Sequence, residues 1–452
     1  MAVARLDKTP FEVRIADLAP DGRGIASRPA AGPGRPGKPL LVSGALPGER
    51  VLAVQARRQR EFDEAHVVEV LEASPDRVEP RCSHYAICSG CSLQHLAEDK
   101  QILAKQRVLL ENLERIGRVT PLQVLQPLTD ATWGYRRKGR LSVRRVEKKG
   151  RTLVGFRERD ARFVAEIGQC RTVIPQVGEK IGLLAALVDG LEARAQIPQI
   201  EFIAGEPAPD FNGVALTVRH LEPLSQHDRD LLADFGRQHG FAVFLQPGGL
   251  DSVHPLWPAD PRLAFRLPQW DLEFAFEPLD FIQVNAGLNG RMIALAMELL
   301  EAAPEDRVLD LFCGLGNFTL PLARRVREVV GVEGDAGLVA RARGNAVRNG
   351  IGNARFHAAD LSKDLSGEPW MREGFDRLLL DPPRSGADFV LAELPLAQFR
   401  RIVYVSCHPA SLARDAGFLV NEKGWTLRAA GVMDMFPHTA HVESIAVFDP
   451  PR

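Results

Sequence analysis

The chain has 452 residues, 45% hydrophobic and 25% charged, which is enough for two or three domains that each bury their own core. No run approaches the ~20 apolar residues of a membrane span, and the N-terminus lacks the apolar segment of a secretory signal. Residues 1–180 carry 32 Lys and Arg against 22 Asp and Glu, whereas residues 181–452 carry 25 against 36. We therefore expect a cytoplasmic protein with a basic first part.

Short β-type runs separated by turn residues fill residues 10–70. They are Phe11-Glu-Val-Arg-Ile15, Leu40-Leu-Val-Ser43, Arg50-Val-Leu-Ala-Val54 and Ala65-His-Val-Val-Glu-Val70. Four or five strands in about 60 residues are typical of a small barrel of the OB type, a common platform for single-stranded RNA. The sequence predicts such a domain over residues 1–72, with a purely structural barrel as the alternative.

Four of the six cysteines indicate a metal site. Cys82, Cys88 and Cys91 form a C-x5-C-x2-C cluster, and Cys170 follows at a distance. In a reducing compartment, clustered cysteines are more often ligands or catalysts than disulfide partners. Four thiolates can hold a [4Fe–4S] cluster or a tetrahedral zinc ion, and the spacing does not choose between them.

Residues 73–270 read as a central α+β domain. A helix is predicted around residues 98–113, and a hairpin-like segment follows at residues 133–157. This segment holds nine cations between Arg136 and Arg151 against the single Glu147, with Trp133 and Phe156 beside them. Such a density of cations near aromatic rings favours a nucleic-acid contact over an ordinary solvated face.

From about residue 271 strands and helices alternate, which predicts a parallel sheet and a third domain over residues 271–452. The predicted strands are Arg307-Val-Leu-Asp-Leu-Phe312, Glu328-Val-Val-Gly-Val-Glu333, Ala354-Arg-Phe-His-Ala-Ala-Asp360, Arg377-Leu-Leu-Leu-Asp381 and Ile402-Val-Tyr-Val-Ser406. Each ends on a polar or reactive residue, or runs directly into one. Because the carboxyl ends of parallel strands line the ligand crevice, these residues are expected to form one site.

The loop after the first of these strands is suited to a nucleoside cofactor. Gly314 and Gly316 allow a tight turn, and Glu333 ends the next strand, where an acid can hold two ribose hydroxyls. Thr319 occupies the position of the third glycine of the dinucleotide fingerprint, which favours S-adenosylmethionine over NAD. Asp360 would then lie near the adenine amine. A glycine turn in an ordinary α/β domain is the alternative.

Cys407 follows the last predicted strand and is a candidate nucleophile. Asp381 and Arg384 lie at a neighbouring strand end, and Glu443 adds an acid near the C-terminus. A thiolate that adds to C6 of uracil makes C5 nucleophilic enough to take a methyl group, and a carboxylate then removes the C5 proton. The sequence contains candidates for both groups. Taken alone, an apolar-flanked cysteine is more often a small buried residue.

Several segments together resemble the RNA uracil-C5 methyltransferase family. They are Phe281-Ile-Gln-Val-Asn285, Asp310-Leu-Phe-Cys-Gly-Leu-Gly-Asn317, Asp381-Pro-Pro-Arg384, Val405-Ser-Cys407 and Pro437-His-Thr-Ala-His-Val-Glu443. The resemblance implies a C-terminal Rossmann-like domain that binds S-adenosylmethionine, with Cys407 as nucleophile and Glu443 as base. It also implies cofactor contacts at Gln283, Phe312, Asn317, Glu333, Asp360 and Asp381. Cys313 is expected only to pack.

The first 180 residues are similar to the bacterial 23S rRNA members of this family. Cys88-Ser-Gly-Cys91, Tyr135-Arg-Arg-Lys138 and Gly155-Phe-Arg157 carry this similarity. It implies a TRAM barrel and a [4Fe–4S] cluster on Cys82, Cys88, Cys91 and Cys170, both expected to be missing from tRNA uridine-54 methyltransferases. Ser89 stands where a glycine is usual.

The expected activity is C5 methylation of one uridine in 23S rRNA, of the position-1939 type. We expect a monomer with 23S rRNA as its partner, no membrane contact and no obligate protein partner. Three alternatives stay open: a tRNA uridine-54 methyltransferase, a non-catalytic RNA-binding protein with a cluster or zinc, and an amino-directed base methyltransferase.

Overall fold

The computed structural model describes residues 8–27 and 37–451, which divide into two compact units. The first unit comprises Met1–Val108 and Phe436–His441. The second comprises Leu109–Met435 and Val442–Arg452. The chain therefore leaves the second unit at Phe436 and returns to it at Val442.

The first unit contains one β-sheet and the start of a helix. Its elements are β1 (Phe11–Arg14), β2 (Asp17–Leu18), β3 (Gly24–Ser27), β4 (Pro39–Ser43), β5 (Arg50–Arg58), β6 (Asp63–Glu72) and α1 (Glu98–Asn112). The sheet order is β1-β5-β6-β4-β3-β2, with β4 and β6 parallel and the other pairs antiparallel. Alternation along β4 buries Leu40 and Val42 completely. The predicted strands and helix are confirmed here.

A buried ion pair ties the sheet to the segment that follows it. The Glu49 side chain is fully buried and accepts hydrogen bonds from Arg77 at 2.5 and 2.8 Å. The backbone N–H groups of Leu46 and Ser74 also donate to this carboxylate. Burial alone would raise the pKa of Glu49, but these donors hold it below its usual value.

The second unit begins with β7 (Gln123–Val124), β8 (Lys138–Val146), β9 (Arg151–Gly155), α2 (Pro175–Gly178), α3 (Ile181–Gly190), β10 (Gln199–Ala204), β11 (Val214–Arg219), α4 (Gln226–His239), β12 (Phe241–Gln246) and β13 (His254–Trp257). Six of these strands form a mixed sheet in the order β13-β12-β11-β10-β8-β9. The basic segment forms the antiparallel pair β8–β9, which confirms the predicted hairpin. Ser225 caps α4 by accepting from Asp228 N–H, and Gly240 ends that helix with φ 71°.

The remaining elements build a two-stranded pair and a larger sheet. They are β14 (Ala264–Leu267), β15 (Leu272–Ala275), α5 (Ala286–Leu300), β16 (Arg307–Leu311), α6 (Thr319–Ala323), β17 (Glu328–Glu333), α7 (Ala336–Arg348), β18 (Ala354–Ala358), β19 (Arg377–Leu380), α8 (Asp388–Glu393), β20 (Arg401–Ser406), α9 (Pro409–Gly417), β21 (Thr426–Met433) and β22 (Glu443–Asp449). The sheet order is β18-β17-β16-β19-β20-β22-β21-β7.

The strands from β18 to β20 are parallel, and β22 runs antiparallel to both of its neighbours. Val329 and Val330 are fully buried, as are Leu378 and Leu379, so side chains on both faces of these strands are covered. This arrangement confirms the predicted parallel sheet and brings the carboxyl ends of β16, β17, β19 and β20 to one edge. No helix of the described residues is long and apolar enough to cross a membrane.

Candidate active site

The predicted site residues follow the ends of neighbouring strands in the second unit. The register pairs Leu311 of β16 with Val332 of β17 and with Leu380 of β19, so these strands end side by side. Leu380 in turn pairs with Tyr404 of β20. The structure therefore brings the residues that follow these strands to one edge of the sheet.

Cys407 and Glu443 are brought together by an antiparallel strand pair. Ser406, the last residue of β20, lies opposite Ser444 of β22, and Ser444 Oγ donates to Ser406 O at 3.1 Å. Cys407 follows Ser406, and Glu443 precedes Ser444, so the two side chains belong to adjacent positions at the same end of the pair. The 35 residues between them, 408–442, include α9, β21 and the loop before β22.

The surroundings of Cys407 keep its thiol protonated. Partial burial and the charges of Glu443 and Asp381 together raise the pKa of Cys407 to about 11, although Arg384 opposes them. Burial also raises the pKa of Asp381, to about 7. Because no neighbouring charge outweighs the two carboxylates, the nucleophile needs a proton acceptor when it reacts.

The glycine turn predicted after β16 has a left-handed backbone at both glycines. Gly314 and Gly316 have φ values of 53° and 89°, and Phe312 has φ 62°. Glycine adopts this region without strain. For Phe312 the same conformation costs ~1–3 kcal/mol, which the surrounding structure must offset. The residue predicted to contact the cofactor therefore has a strained backbone at the mouth of the turn.

Asp310 is a buried carboxyl of this crevice that the motif analysis did not assign. Thr319 Oγ1 donates to its Oδ2 at 2.5 Å, while Oδ1 has no partner among the described residues. Burial raises the pKa of Asp310 to about 7, and the charges of Asp381 and Glu333 contribute. An under-satisfied carboxyl beside two other acids fits a cationic ligand such as a sulfonium or an ammonium group. Cys313 is buried nearby, where burial raises its pKa well above the usual value, consistent with packing.

Glu333, Asn317 and Asp360 differ in how they are held. The Glu333 carboxylate accepts from Gly314 N–H and Asp335 N–H, both at 3.1 Å, which ties the acid to the glycine turn. The amides of Asn317 and Asn289 exchange two hydrogen bonds of 2.9 and 3.0 Å. Asp360 is exposed, and hydrogen bonds from Ser362 and Lys363 lower its pKa to about 2.

Gln283 depends on an arginine from the basic segment, a role that the sequence did not indicate. Arg137 is buried, donates from Nε to Gln283 O at 2.8 Å and from its backbone N–H to Val284 O at 2.9 Å. Burial lowers the pKa of Arg137 to about 10, and its guanidinium lies 4.8 Å from the Phe265 ring centroid. The sequence offered one signal for this role: Arg137 belongs to the basic segment and directly precedes the strand β8.

Comparison with known proteins agrees with this geometry. Residues 265–449 match a family model described as tRNA (Uracil-5-)-methyltransferase. A protein of Xanthomonas euvesicatoria pv. vesicatoria (strain 85-10), named 23S rRNA (uracil(1939)-C(5))-methyltransferase RlmD, is 68% identical over 445 residues, 98% of each chain. A Stenotrophomonas maltophilia (strain K279a) protein of the same name is 66% identical over 446 residues, 99% of this chain and 98% of its own. The chain belongs to the 23S rRNA (uracil(1939)-C(5))-methyltransferase family.

Membership of this methyltransferase family confirms the resemblance, but the expected difference in N-terminal fold from tRNA enzymes does not hold for one solved structure. A solved structure, the Pyrococcus abyssi tRNA (uracil-54, C5)-methyltransferase in complex with S-adenosyl-L-homocysteine, superposes with a TM-score of 0.73 at 22% identity. It covers 97% of this chain and 99% of its own, so the likeness includes the N-terminal part of the fold. The fold of the first 180 residues therefore does not by itself separate rRNA from tRNA enzymes, contrary to expectation.

The four cysteines predicted to bind metal are divided between the two compact units. Cys82, Cys88 and Cys91 belong to the first unit and Cys170 to the second, and all four are partly exposed. Gly90 N–H donates to Cys88 Sγ at 3.4 Å. A donor set of thiols alone fits an iron–sulfur cluster or zinc. Within residues 8–27 and 37–451, however, no three His, Cys, Asp or Glu side chains form an arrangement that could hold a metal ion.

Acids of the second unit neutralise part of the basic segment in this methyltransferase. Arg140 pairs with Glu201 at 3.1 Å, and Arg145 pairs with Asp189 at 2.8 Å. Lys149 and Arg151 both pair with Glu166. The nine cations of this segment are thus partly neutralised by ion pairs, so their free positive charge is smaller than the sequence suggested.

Proposed function

We propose that this chain transfers the methyl group of S-adenosylmethionine to C5 of uridine 1939 in 23S rRNA. The observation that carries the proposal is the strand pair Ser406–Ser444, which brings Cys407 beside Glu443 in the crevice with Asp381. Relatives that are 66–68% identical over almost the whole chain bear the name of this activity. An amino-directed methyltransferase would need no such cysteine.

The cofactor would be held by residues at the carboxyl ends of β16, β17, β18 and β19, together with Gln283 before α5. Gln283, Phe312, Asn317, Glu333, Asp360 and Asp381 are the proposed contacts. The unpartnered Oδ1 of Asp310 supports a cationic ligand in the same place. When bound, S-adenosylmethionine supplies a methyl group on a cationic sulfur, which is open to attack by a carbon nucleophile. Glu333 is oriented for ribose because two backbone N–H groups fix its carboxylate.

Cys407 starts the reaction by adding to the uracil ring. Its thiol passes the proton to a carboxylate, and Asp381 is suited to accept it because the pKa of that group is about 7. The Sγ–C6 bond forms, and the C5=C6 electron pair moves to C5 as an enolate. C5 then takes the methyl group, which leaves a saturated ring with one hydrogen still on C5.

Glu443 completes the reaction by removing that hydrogen. Its carboxylate takes the C5 proton, the C5=C6 bond is restored, and the C6–Sγ bond breaks. Cys407 departs as a thiolate and recovers its proton from Asp381. Each residue therefore returns to its starting state after Glu443 releases its proton to solvent.

Residues 1–270 would bind the RNA. We assign residues 1–72 to a TRAM barrel, residues 73–270 to the iron–sulfur and RNA-binding domain and residues 271–452 to the methyltransferase domain. Cys82, Cys88, Cys91 and Cys170 would hold the [4Fe–4S] cluster, a proposal supported by their thiol-only chemistry. A monomer acting in the cytoplasm, with the target base flipped into the crevice, fits this organisation.

Replacing Cys407 by Ala tests the activity. We expect loss of at least about 10⁴-fold in methyl transfer to unmodified 23S rRNA, since no other thiol of the crevice can take its place. Cys313→Ala is the matched control and should keep most of the activity, because Cys313 is a buried packing residue. Retained turnover in Cys407→Ala, methylation at another nucleotide, or a preference for tRNA transcripts would each contradict the proposal.

The cluster is tested on anaerobically purified protein. An iron–sulfur cluster gives visible absorption near 400 nm, about four irons and about four sulfides per chain. Colourless protein with one zinc per chain would replace the cluster by a structural zinc site.

A further inference from the structure

The segment Phe436–His441, called here the base loop, belongs to the first unit although the residues on both sides belong to the second. It ends two residues before Glu443, the proposed base. Only Val442 separates the base loop from Glu443, the first residue of β22.

The backbone of the base loop is held by residues of the cysteine-bearing segment. His438 O accepts from Ser92 N–H at 2.9 Å and from Leu93 N–H at 3.0 Å. Ala440 N–H donates to Ser92 Oγ at 2.9 Å. His438 has φ 64°, a left-handed conformation that costs a non-glycine residue free energy, so these bonds impose the shape of the loop.

Two buried side chains on one face of α1 complete this support. Gln101 Oε1 accepts from His438 N–H at 2.9 Å, while its Nε2 donates to Leu96 O at 2.8 Å. Lys105 follows one helical turn later and donates from Nζ to Phe436 O at 2.9 Å. Gln101 is 2% exposed and Lys105 1% exposed. Burying a lysine is costly, and the reaction proposed above does not use it.

We propose that Gln101 and Lys105 are positioning residues for the base, which hold the base loop so that Glu443 reaches the C5 proton. The inference rests on the proposed function, in which Glu443 acts only after methyl transfer. A base must come within about 2.6–3.2 Å of its proton, and an error of about 1 Å can cost about 100-fold in rate. Loosening the loop should therefore slow proton removal and spare the earlier steps.

This role can be separated from a purely structural one because the two halves of the reaction have different products. Methyl transfer is measured as labelled methyl on RNA in a single turnover. Proton removal is measured as tritium released from a 23S rRNA fragment transcribed with [5-³H]uridine. When only proton removal is slow, Cys407 stays bonded to the methylated base, and a protein–RNA adduct survives denaturing gel electrophoresis.

The test compares Lys105→Met and Gln101→Leu with Lys100→Met in the full-length chain. We expect both to keep methyl transfer within about threefold, to release tritium about 10- to 100-fold more slowly and to accumulate the adduct. Lys100→Met, on the same helix but exposed, should match the wild type. An equal fall in both rates, or no change in either, would overturn the inference. Gln101→Leu keeps it testable if Lys105→Met does not fold.

Glu443→Gln distinguishes failure of the inference from failure of the proposed function. It should accumulate the same adduct, because its amide cannot accept the proton. If Glu443→Gln releases tritium normally, Glu443 is not the base and the proposed mechanism fails. If Glu443→Gln stalls while Lys105→Met and Gln101→Leu do not, only the positioning role fails.

Discussion

Buried carboxyl groups differ in their hydrogen bonding between the active site and the first unit. Asp310 is buried with an unpartnered oxygen, and the pKa of both Asp310 and Asp381 is raised to about 7. Glu49, equally buried, receives four hydrogen bonds, two of them from Arg77. The Glu49 carboxylate is thus satisfied within the fold, whereas Asp310 keeps one oxygen that a bound ligand could satisfy.

Removing the partner of Glu49 should have the largest effect on stability. Arg77→Met leaves a buried carboxylate without its counter-charge, and we expect a loss of ~3–5 kcal/mol in the opening free energy of the first unit. Hydrogen exchange of the β1–β6 amides in the full-length chain measures it. Arg14→Met, which breaks an exposed pair with Glu72, should cost no more than ~1 kcal/mol. Similar costs for both variants would remove the distinction drawn above.

Neutralising Asp310 should change how stability depends on pH. Because its pKa is raised in the folded state, the folded protein keeps a proton that the unfolded chain has lost, and stability falls as pH rises towards about 7. In Asp310→Asn the free energy of unfolding should fall less steeply with pH, by up to ~1 kcal/mol per pH unit. Melting temperatures measured between pH 5 and 8 would show this difference. Asp360→Asn is the control, since its pKa of about 2 titrates outside that range. An unchanged pH profile for Asp310→Asn would mean that its carboxyl is satisfied after all.

The thiol of Cys407 should be slow to alkylate. With a pKa of about 11, its reaction with iodoacetamide should rise about tenfold per pH unit between pH 7 and 9 without a plateau. Glu443→Gln removes a neighbouring negative charge, so the pKa should fall and the rate at pH 8 should rise by up to about tenfold. Peptide mapping separates Cys407 from the other cysteines. A plateau below pH 9 in the wild type would show that positive charge dominates the crevice.

The smallest effect is expected at the exposed end of the basic hairpin. Arg144 and Lys148 form no ion pair in the described part of the chain, whereas Arg145 is paired with Asp189. The double variant Arg144→Ala/Lys148→Ala should lower the slope of log affinity against log salt for a 23S rRNA fragment by about 1–2. Arg145→Ala should leave that slope unchanged. The opposite ranking would place the RNA on the paired cations.

The clustering of strand ends at one edge of the sheet was predictable, because each strand is a recognisable apolar run that ends at a polar or reactive residue. Cys407, Glu333 and Asp381 each follow or end a recognisable apolar run, and a parallel sheet brings such ends together whatever the loops do. The pairing of β20 with β22 was not predictable from periodicity alone. Glu443 was assigned by resemblance, and the structure adds that antiparallel pairing places it beside Cys407.

The supports of the site were not predictable, since they are single hydrogen bonds between distant residues. Arg137 reaches Gln283 across 146 residues, and Gln101 reaches His438 across 337. Neither bond leaves a periodic pattern in the sequence. The ion pairs of the basic segment were missed for the same reason, since Asp189 and Glu201 lie well beyond it in the chain. The pairing of the two-residue strand β7 with β21 was missed as well.

During translation, Gln101 leaves the ribosome 337 residues before the His438 it will bind. Domains generally begin to fold as they emerge, and residues 1–108 of the first unit are made long before the base loop to which they hydrogen-bond. A chain interrupted after Cys407 but before Phe436 would carry the proposed nucleophile without the proposed base, and its first unit would lack the base loop. The last segment of the first unit and Glu443, the proposed base, are therefore synthesised within two residues of each other.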